Sequence, residues 1–204
     1  MATLSNPRGI IDRKAITVKL DELVEWSGYT PKTQTQVLEI FKSAQKAGWA
    51  EIKRRFEEDK ASARQTTLAN SYLVDQLIRM IHQFALTRVY PSANPTPGEQ
   101  MALIATGGYG RSEVAPFSDV DLMFLLPYKL TAHSEQIVEF TLYMLWDLGL
   151  KVGHATRSVG GPLLLPHALL VEQADKGARR RSQAGVRKGR VDPCDFERRN
   201  LRRA

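Results

Sequence analysis

Two long segments of the chain repeat apolar residues at the three- and four-residue spacing of an amphipathic helix. The first predicts a helix over about 32–62, with Thr30 as its N-cap and Pro31 at the first helical position. Its apolar positions are Val37, Phe41, Ala44, Trp49, Ile52 and Phe56. The second predicts a helix over about 66–88, with an apolar stripe formed by Leu73, Leu77, Met80, Ile81 and Phe84. Residues 1–30 show no clean period and predict an arm with one short helix.

The pattern changes after a proline-rich stretch at 91–98, where three prolines and a glycine favour turns. Short apolar runs predict strands, and a broadly apolar segment predicts a helix that ends at Gly149. These elements are strands at 101–106, 120–126 and 151–159 and a helix at 133–148. Their order predicts an α+β fold in which N-terminal helices pack on a small mixed sheet.

The apolar pattern ends near Val159. Residues 160–204 contain 11 basic and 5 acidic residues, whereas residues 1–159 contain 18 and 17. The net charge of +7 therefore belongs almost entirely to an irregular basic tail. We divide the chain into four segments: an N-terminal arm (1–30), a helical region (31–98), a strand-containing domain (99–159) and the tail (160–204).

The composition excludes several classes of protein. Hydrophobic residues make up 43% and charged residues 25%, which is typical of a globular chain. The single cysteine, Cys194, cannot form an internal disulfide, and the histidines have no partner at zinc-finger spacing. Because the chain has no run of 18 apolar residues and no signal peptide, we expect a cytoplasmic protein with no membrane partner.

Two carboxylates, Asp119 and Asp121, lie two residues apart at the start of the second predicted strand. Alternate residues of a strand project to the same face, so these side chains are expected to point together. Like charges so placed repel unless a cation lies between them, and oxygen ligands of this kind suit Mg²⁺. The pair therefore predicts a magnesium site.

A glycine turn, which includes Gly107 and Gly108, follows the first predicted strand. Without side chains, its backbone N–H groups can approach phosphate oxygens closely. A glycine turn or an Asp-x-Asp pair alone is commonplace and usually structural. Their ordered combination predicts a site for a nucleotide and its metal.

Three segments carry a resemblance to a known family: 107–113 (Gly-Gly-Tyr-Gly-Arg-Ser-Glu), 118–122 (Ser-Asp-Val-Asp-Leu) and 145–158. Residues 101–159 resemble the nucleotidyltransferase domain of the bifunctional PII uridylyltransferase/uridylyl-removing enzymes, within the DNA-polymerase-β-like superfamily. With the preceding helices, which are less specific, the likeness covers roughly 30–159. It identifies residues 99–159 as a partial nucleotidyltransferase domain.

The resemblance implies transfer of UMP from UTP to a tyrosine of the PII nitrogen-regulatory protein, with release of pyrophosphate. It implies that Asp119 and Asp121 are catalytic and hold Mg²⁺. It also implies nucleotide binding by Gly107 and Gly108, which cradle the triphosphate, by Arg111, which helps to neutralise it, and by Ser118.

The sequence also gives expectations for the third predicted strand and for the core. His154 and Arg157 lie on that strand near the site, where a polar strand face is the plainer interpretation. Trp146 and Phe124 are predicted to be core residues. No Asp or Glu occurs in 150–159, so the predicted metal site has two carboxylates.

The likeness stops near Val159, where the family continues into further domains. The jump in charge at the same point favours the hypothesis of a truncated family sequence with an altered reading frame, and a native basic tail is the alternative. Within enzymes, an adenylyltransferase that acts on glutamine synthetase, or another bacterial nucleotidyltransferase, shares both motifs.

Nucleic-acid binding through the tail is the alternative from another class of protein. It is disfavoured because Phe196 is the only aromatic residue in the tail that could stack on a base. A P-loop kinase or ATPase is disfavoured because the motif Gly-x-x-x-x-Gly-Lys-Ser/Thr is absent from the sequence.

Overall fold

A computed structural model describes residues 4–92, 101–128 and 130–159 of the chain. The predicted basic tail at 160–204 lies outside the described residues. The helices are α1 (Arg13–Ser27), α2 (Pro31–Glu57), α3 (Ala63–Phe84), α4 (Gly107–Gly110) and α5 (Ala132–Asp147). The strands are β1 (Ala102–Ala105), β2 (Val120–Leu126) and β3 (Val152–Ser158).

Polar caps explain where the long helices begin. Thr30 and Ser62 each form a capping box at the start of α2 and α3, and Thr131 does the same for α5. The predicted N-cap at Thr30 is therefore confirmed. The chain reverses between α2 and α3 at Lys60, whose φ of 57° is incompatible with a helix, so α2 ends before the predicted position of 62.

The arm contains a longer helix than the sequence pattern predicts. Helix α1 has 15 residues, and the side chain of Asp12 caps its N-terminus by accepting a hydrogen bond from the Ala15 N–H at 3.2 Å. Its buried apolar positions include Leu20 and Val24, one turn apart. Ile16 and Leu23 also pack against the core but are only partly buried, and the apolar Val18 is 54% exposed, so the apolar residues of α1 do not mark one clear face in the sequence.

The three strands form a mixed sheet in the order β1-β2-β3. Strand β1 runs antiparallel to β2, and β3 runs parallel to β2. Helix α5 makes the crossover between the two parallel strands and contacts both α3 and β3. Gly149, which follows the C-cap residue Leu148, takes a φ of 76° and ends α5 as predicted. The predicted α+β fold with a small mixed sheet is confirmed.

One hydrophobic cluster joins the helices to the sheet. Along β2, alternate side chains from Val120 to Leu126 are buried, so one face of the sheet packs against the helical layer. The largest fully buried side chains include Phe41, Leu73, Leu77, Ile81, Phe124, Ile137 and Leu145. The opposite face of β2 is only half-buried and carries Asp121.

Two aromatic predictions for the core have different outcomes. Phe124 is completely buried, as predicted, but the prediction that Trp146 is a core residue is wrong because its side chain is 44% exposed. Trp146 lies on the outer side of α5, where its ring meets Tyr143 edge-on with the centroids 5.5 Å apart. None of the helices in the described part of the chain is long and apolar enough to cross a membrane.

Candidate active site

The glycine turn forms where β1 ends and lies beside the start of β2. The Thr106 N–H donates to the Asp121 carbonyl at 3.0 Å, so the strands remain paired up to the turn. The first internal hydrogen bond of the turn runs from the Gly110 N–H to the Thr106 carbonyl at 2.8 Å. Gly107 has a φ of 59°, a conformation that favours glycine. The backbone thus reverses within a few residues.

Asp121 lies between two glycines from different parts of the chain. A Cβ atom added to Gly107 would overlap Oδ2 of Asp121, and one added to Gly153 would lie 2.7 Å from Oδ1. Gly153 is the register partner of Asp121 on the parallel strand β3. The structure therefore brings together the first glycine of the turn and the second aspartate of the Asp-x-Asp pair.

Asp119 directly precedes β2 and is exposed to solvent. The residue between the two aspartates, Val120, is 1% exposed and points into the core. Its N–H donates to the Lys151 carbonyl at 2.8 Å, which holds this end of β2 beside the start of β3. Val120 thereby anchors the Asp-x-Asp pair to the core.

Helix α3 supports the glycine turn from the core side. Tyr109 is only 6% exposed, and its hydroxyl lies close to Asp75 of α3. Burial raises the pKa of Tyr109 well above its usual value, and the neighbouring carboxylate of Asp75 adds to the increase. Arg79 forms an ion pair with Asp75 at 2.8 Å, and the buried Val114 N–H donates to Ser71 Oγ at 3.1 Å. Two separate contacts therefore fix the turn to one helix.

Three further predicted nucleotide-binding residues have well-defined surroundings. Arg111 is exposed, donates from Nη1 to the Gly107 carbonyl at 2.9 Å and pairs through Nε with Glu113 at 2.9 Å. Ser118 Oγ donates to the Ala115 carbonyl at 2.9 Å. The Gly108 position is open, since a Cβ there would meet nothing closer than the Glu113 carbonyl oxygen at 3.9 Å.

The family model for glutamate-ammonia ligase adenylyltransferase matches residues 4–144, which include the helical layer, the glycine turn and the Asp-x-Asp pair. The chain belongs to this family of nucleotidyltransferases. The comparison thus agrees with the superfamily that the two motifs indicate.

Curated relatives give a more specific likeness. The chain is 51% identical over 156 residues to the bifunctional uridylyltransferase/uridylyl-removing enzyme of Rhodospirillum rubrum. The enzymes of the same name from Azospirillum brasilense and Novosphingobium aromaticivorans are 46% and 42% identical over 158 and 156 residues. Each match covers 76–78% of this chain but only 17% of the relative. The resemblance that the motifs predict is confirmed, and the chain spans about one sixth of the length of these relatives.

Within this nucleotidyltransferase framework, the structure separates two residues of the third strand. Because Gly153 faces Asp121, the next residue, His154, projects to the other side of the sheet. Its ring lies 6.2 Å from that of Trp146, between centroids. Arg157 returns to the face of Asp121 but pairs with Leu125, four positions further along β2.

Two contributors to the site are absent from the sequence prediction. Asp75 belongs to no sequence motif. Its proximity to Tyr109 arises only because α3 packs beside the turn. Gly153 did leave a signal, since a glycine inside a strand often marks a close approach by another group. The sequence pattern that predicts the strand at 151–159 does not show which group approaches Gly153.

The two aspartates are the candidate donors for the metal that the sequence predicts. No group of three or more His, Cys, Asp or Glu side chains within 4–92, 101–128 and 130–159 could hold a metal ion. Carboxylate oxygens are ligands that Mg²⁺ accepts, and it commonly completes its coordination with water and substrate phosphates. The space kept around the Asp121 carboxylate by Gly107 and Gly153 fits such a role.

Proposed function

We propose that this chain carries the nucleotide- and metal-binding part of a uridylyltransferase that transfers UMP from UTP to a tyrosine of the PII protein. The observation that carries the proposal is the placement of Asp121 against Gly107, at the point where the glycine turn meets the Asp-x-Asp strand. The names of the relatives, at 42–51% identity, support uridylyl transfer as the specific reaction.

In this proposal, Asp119 and Asp121 hold Mg²⁺. Their roles differ because Asp119 is exposed and Asp121 is half-buried and confined by two glycines. Asp121 would supply a carboxylate that the two glycines confine, and Asp119 would supply one that is exposed to solvent. When bound, Mg²⁺ offsets the negative charge of the triphosphate and of the departing pyrophosphate.

The glycine turn receives the triphosphate. The N–H groups of Gly107 and Gly108 precede the first internal hydrogen bond of the turn, and neither residue has a side chain to hold phosphate away. Arg111 adds positive charge while its bond to the Gly107 carbonyl keeps the turn closed. Ser118 lies in the loop before Asp119 and contributes its hydroxyl.

The reaction then requires mainly positioning. The tyrosine oxygen of PII forms a bond to the α-phosphorus of UTP, the bond from that phosphorus to the bridging oxygen breaks, and pyrophosphate leaves. Phosphoryl-type transfers depend mostly on orientation and charge stabilisation. Residues of this chain supply both by holding the triphosphate and metal at a turn that the core makes rigid.

The direct test uses labelled UTP, Mg²⁺ and PII protein with the full 204-residue chain. We expect label on PII with the parent chain and its loss with Asp119→Asn. Asp59→Asn is the control, because Asp59 lies at the far end of α2 in a surface ion pair with Arg54. Equal labelling by the parent and Asp119→Asn would overturn the metal site. Binding of UTP that does not depend on Mg²⁺ in calorimetry would contradict it as well.

A second candidate is adenylyl transfer to glutamine synthetase. The matching family model bears the name of that activity. Competition between UTP and ATP for Mg²⁺-dependent binding separates the two. Stronger displacement by ATP than by UTP would favour adenylyl transfer, and the reverse supports uridylyl transfer.

A further inference from the structure

A single row of residues crosses the sheet at the candidate site. Thr106 pairs through its backbone with Asp121, and Asp121 is in register with Gly153. The side chain of Asp121 occupies the space above its two neighbours. Oδ1 lies 2.7 Å from the position that a Cβ atom of Gly153 would take, and Oδ2 lies closer still to the corresponding position at Gly107.

Positions 107 and 153 require glycine for different reasons. Gly107 combines a positive φ with a close approach to Asp121, so both backbone and space favour glycine there. At Gly153 the backbone is that of an ordinary strand residue, and only the approach of Oδ1 at 2.7 Å excludes a side chain. A glycine inside a strand costs roughly 0.5–1 kcal/mol relative to alanine. The space that Gly153 leaves for the Asp121 carboxylate explains why a glycine occupies this position in spite of the cost.

The neighbouring positions show that the requirement is local. Ala155, two residues along β3 on the same face, pairs with Met123 and carries a Cβ. Gly108, next to Gly107 in the turn, would have its Cβ 3.9 Å from the nearest atom. The crowding is therefore specific to the carboxylate of Asp121.

We infer that Gly153 is a positioning residue for Asp121, because its bare Cα lets the carboxylate lie over β3 beside the glycine turn. This inference rests on the proposed function, in which that carboxylate holds the metal. A side chain at position 153 would turn the Asp121 carboxylate away from this place. Asp119 alone would then remain in position to hold the ion.

The first experiment measures Mn²⁺ binding in the presence of UTP, by electron paramagnetic resonance on the full chain. We expect Gly153→Ala to weaken binding by about 10–100-fold, the range typical of lost support around a metal ligand. Thr156→Ala is the matched control, because Thr156 is an exposed residue of the same strand in register with Phe124, and its affinity should stay within about twofold of the parent. Urea unfolding checks that the two alanine variants remain folded.

The outcomes separate the inference from the function on which it rests. If Asp121→Asn binds Mn²⁺ as well as the parent does, the proposed metal site fails, whatever Gly153 does. If Asp121→Asn loses binding while Gly153→Ala retains the parent affinity, the positioning role of Gly153 is overturned. Loss of binding in both, with retention in Thr156→Ala, supports it.

A double variant tests the same contact without a metal and covers the case in which Gly153→Ala unfolds. In the Asp121→Ala background the carboxylate is gone, so Gly153→Ala should cost nothing and should raise the urea midpoint slightly. In the parent background the same change should lower the midpoint or leave it unchanged. Equal destabilisation in both backgrounds would show that something other than Asp121 needs the glycine, and would overturn the inference.

Discussion

Tyr109 shows how one residue couples the glycine turn to the core. It lies in the middle of a turn whose other members are small or exposed, yet its ring is buried and its hydroxyl meets Asp75 of α3. The neighbouring glycines let the backbone turn tightly enough for the ring to enter the core. A turn anchored in this way is preorganised, so little ordering is needed when a triphosphate binds.

Replacing Tyr109 by Phe tests the hydroxyl without removing the ring. We expect the free energy of unfolding to fall by about 1 kcal/mol, the typical net value of one polar contact, because the hydroxyl beside Asp75 is lost while Asp75 keeps its ion pair with Arg79. Urea unfolding measures the change. Tyr143→Phe is the control, since Tyr143 is 55% exposed, and equal effects of both variants would contradict the anchoring role.

At the scale of elements, a tight contact between α2 and α3 depends on a glycine. A Cβ on Gly48 would lie 2.6 Å from Cδ1 of Leu73, which is completely buried, and 3.1 Å from the carbonyl oxygen of Ile10. Gly48 is therefore a contact between three segments, although glycine is a poor helix former.

We expect Gly48→Ala to destabilise the protein by about 1 kcal/mol. Overpacking costs about 1–3 kcal/mol, and the gain in helix propensity offsets about 1 kcal/mol of it. Ala50→Gly is the matched control, because Ala50 is exposed and the change measures helix propensity alone. It should lower the free energy of unfolding by about 1 kcal/mol. Thermal or urea unfolding compares the two, and a stabilised Gly48→Ala would show that the helices separate freely.

At the scale of the whole molecule, the buried His82 makes stability depend on pH. Burial lowers its pKa to about 4, and its Nδ1 has no hydrogen-bond partner among the described residues. The unfolded chain binds a proton at His82 near pH 6.5, whereas the folded chain does so only near pH 4. Protons therefore favour the unfolded chain between these values, and stability falls as the pH is lowered through this window.

The expected loss between pH 6.5 and pH 4 is roughly 2–3 kcal/mol from His82. Urea unfolding at a series of pH values measures it. The variant His82→Leu should show a shallower dependence in this window than the parent chain does. A parental slope in His82→Leu would exclude His82 as its source.

Local sequence determined most elements and the residues of the candidate site. The apolar periods and caps of α2, α3 and α5 identify these helices, because a helix or strand repeats its contacts every few residues. The pairing of a glycine turn with Asp119 and Asp121 needs only the order of residues along the chain. Trp49 also matches the helical period of α2, yet it is 41% exposed, because an apolar period does not say how wide the buried face is.

Tertiary structure decided which distant residues meet. The position of Asp121 between Gly107 and Gly153 depends on strand register, and a shift of one residue would place another side chain there. The support of Tyr109 by Asp75 depends on how α3 packs beside the turn, 34 residues away in sequence. Short-range periodicity carries no information about such pairs, because they form only when whole elements dock against one core.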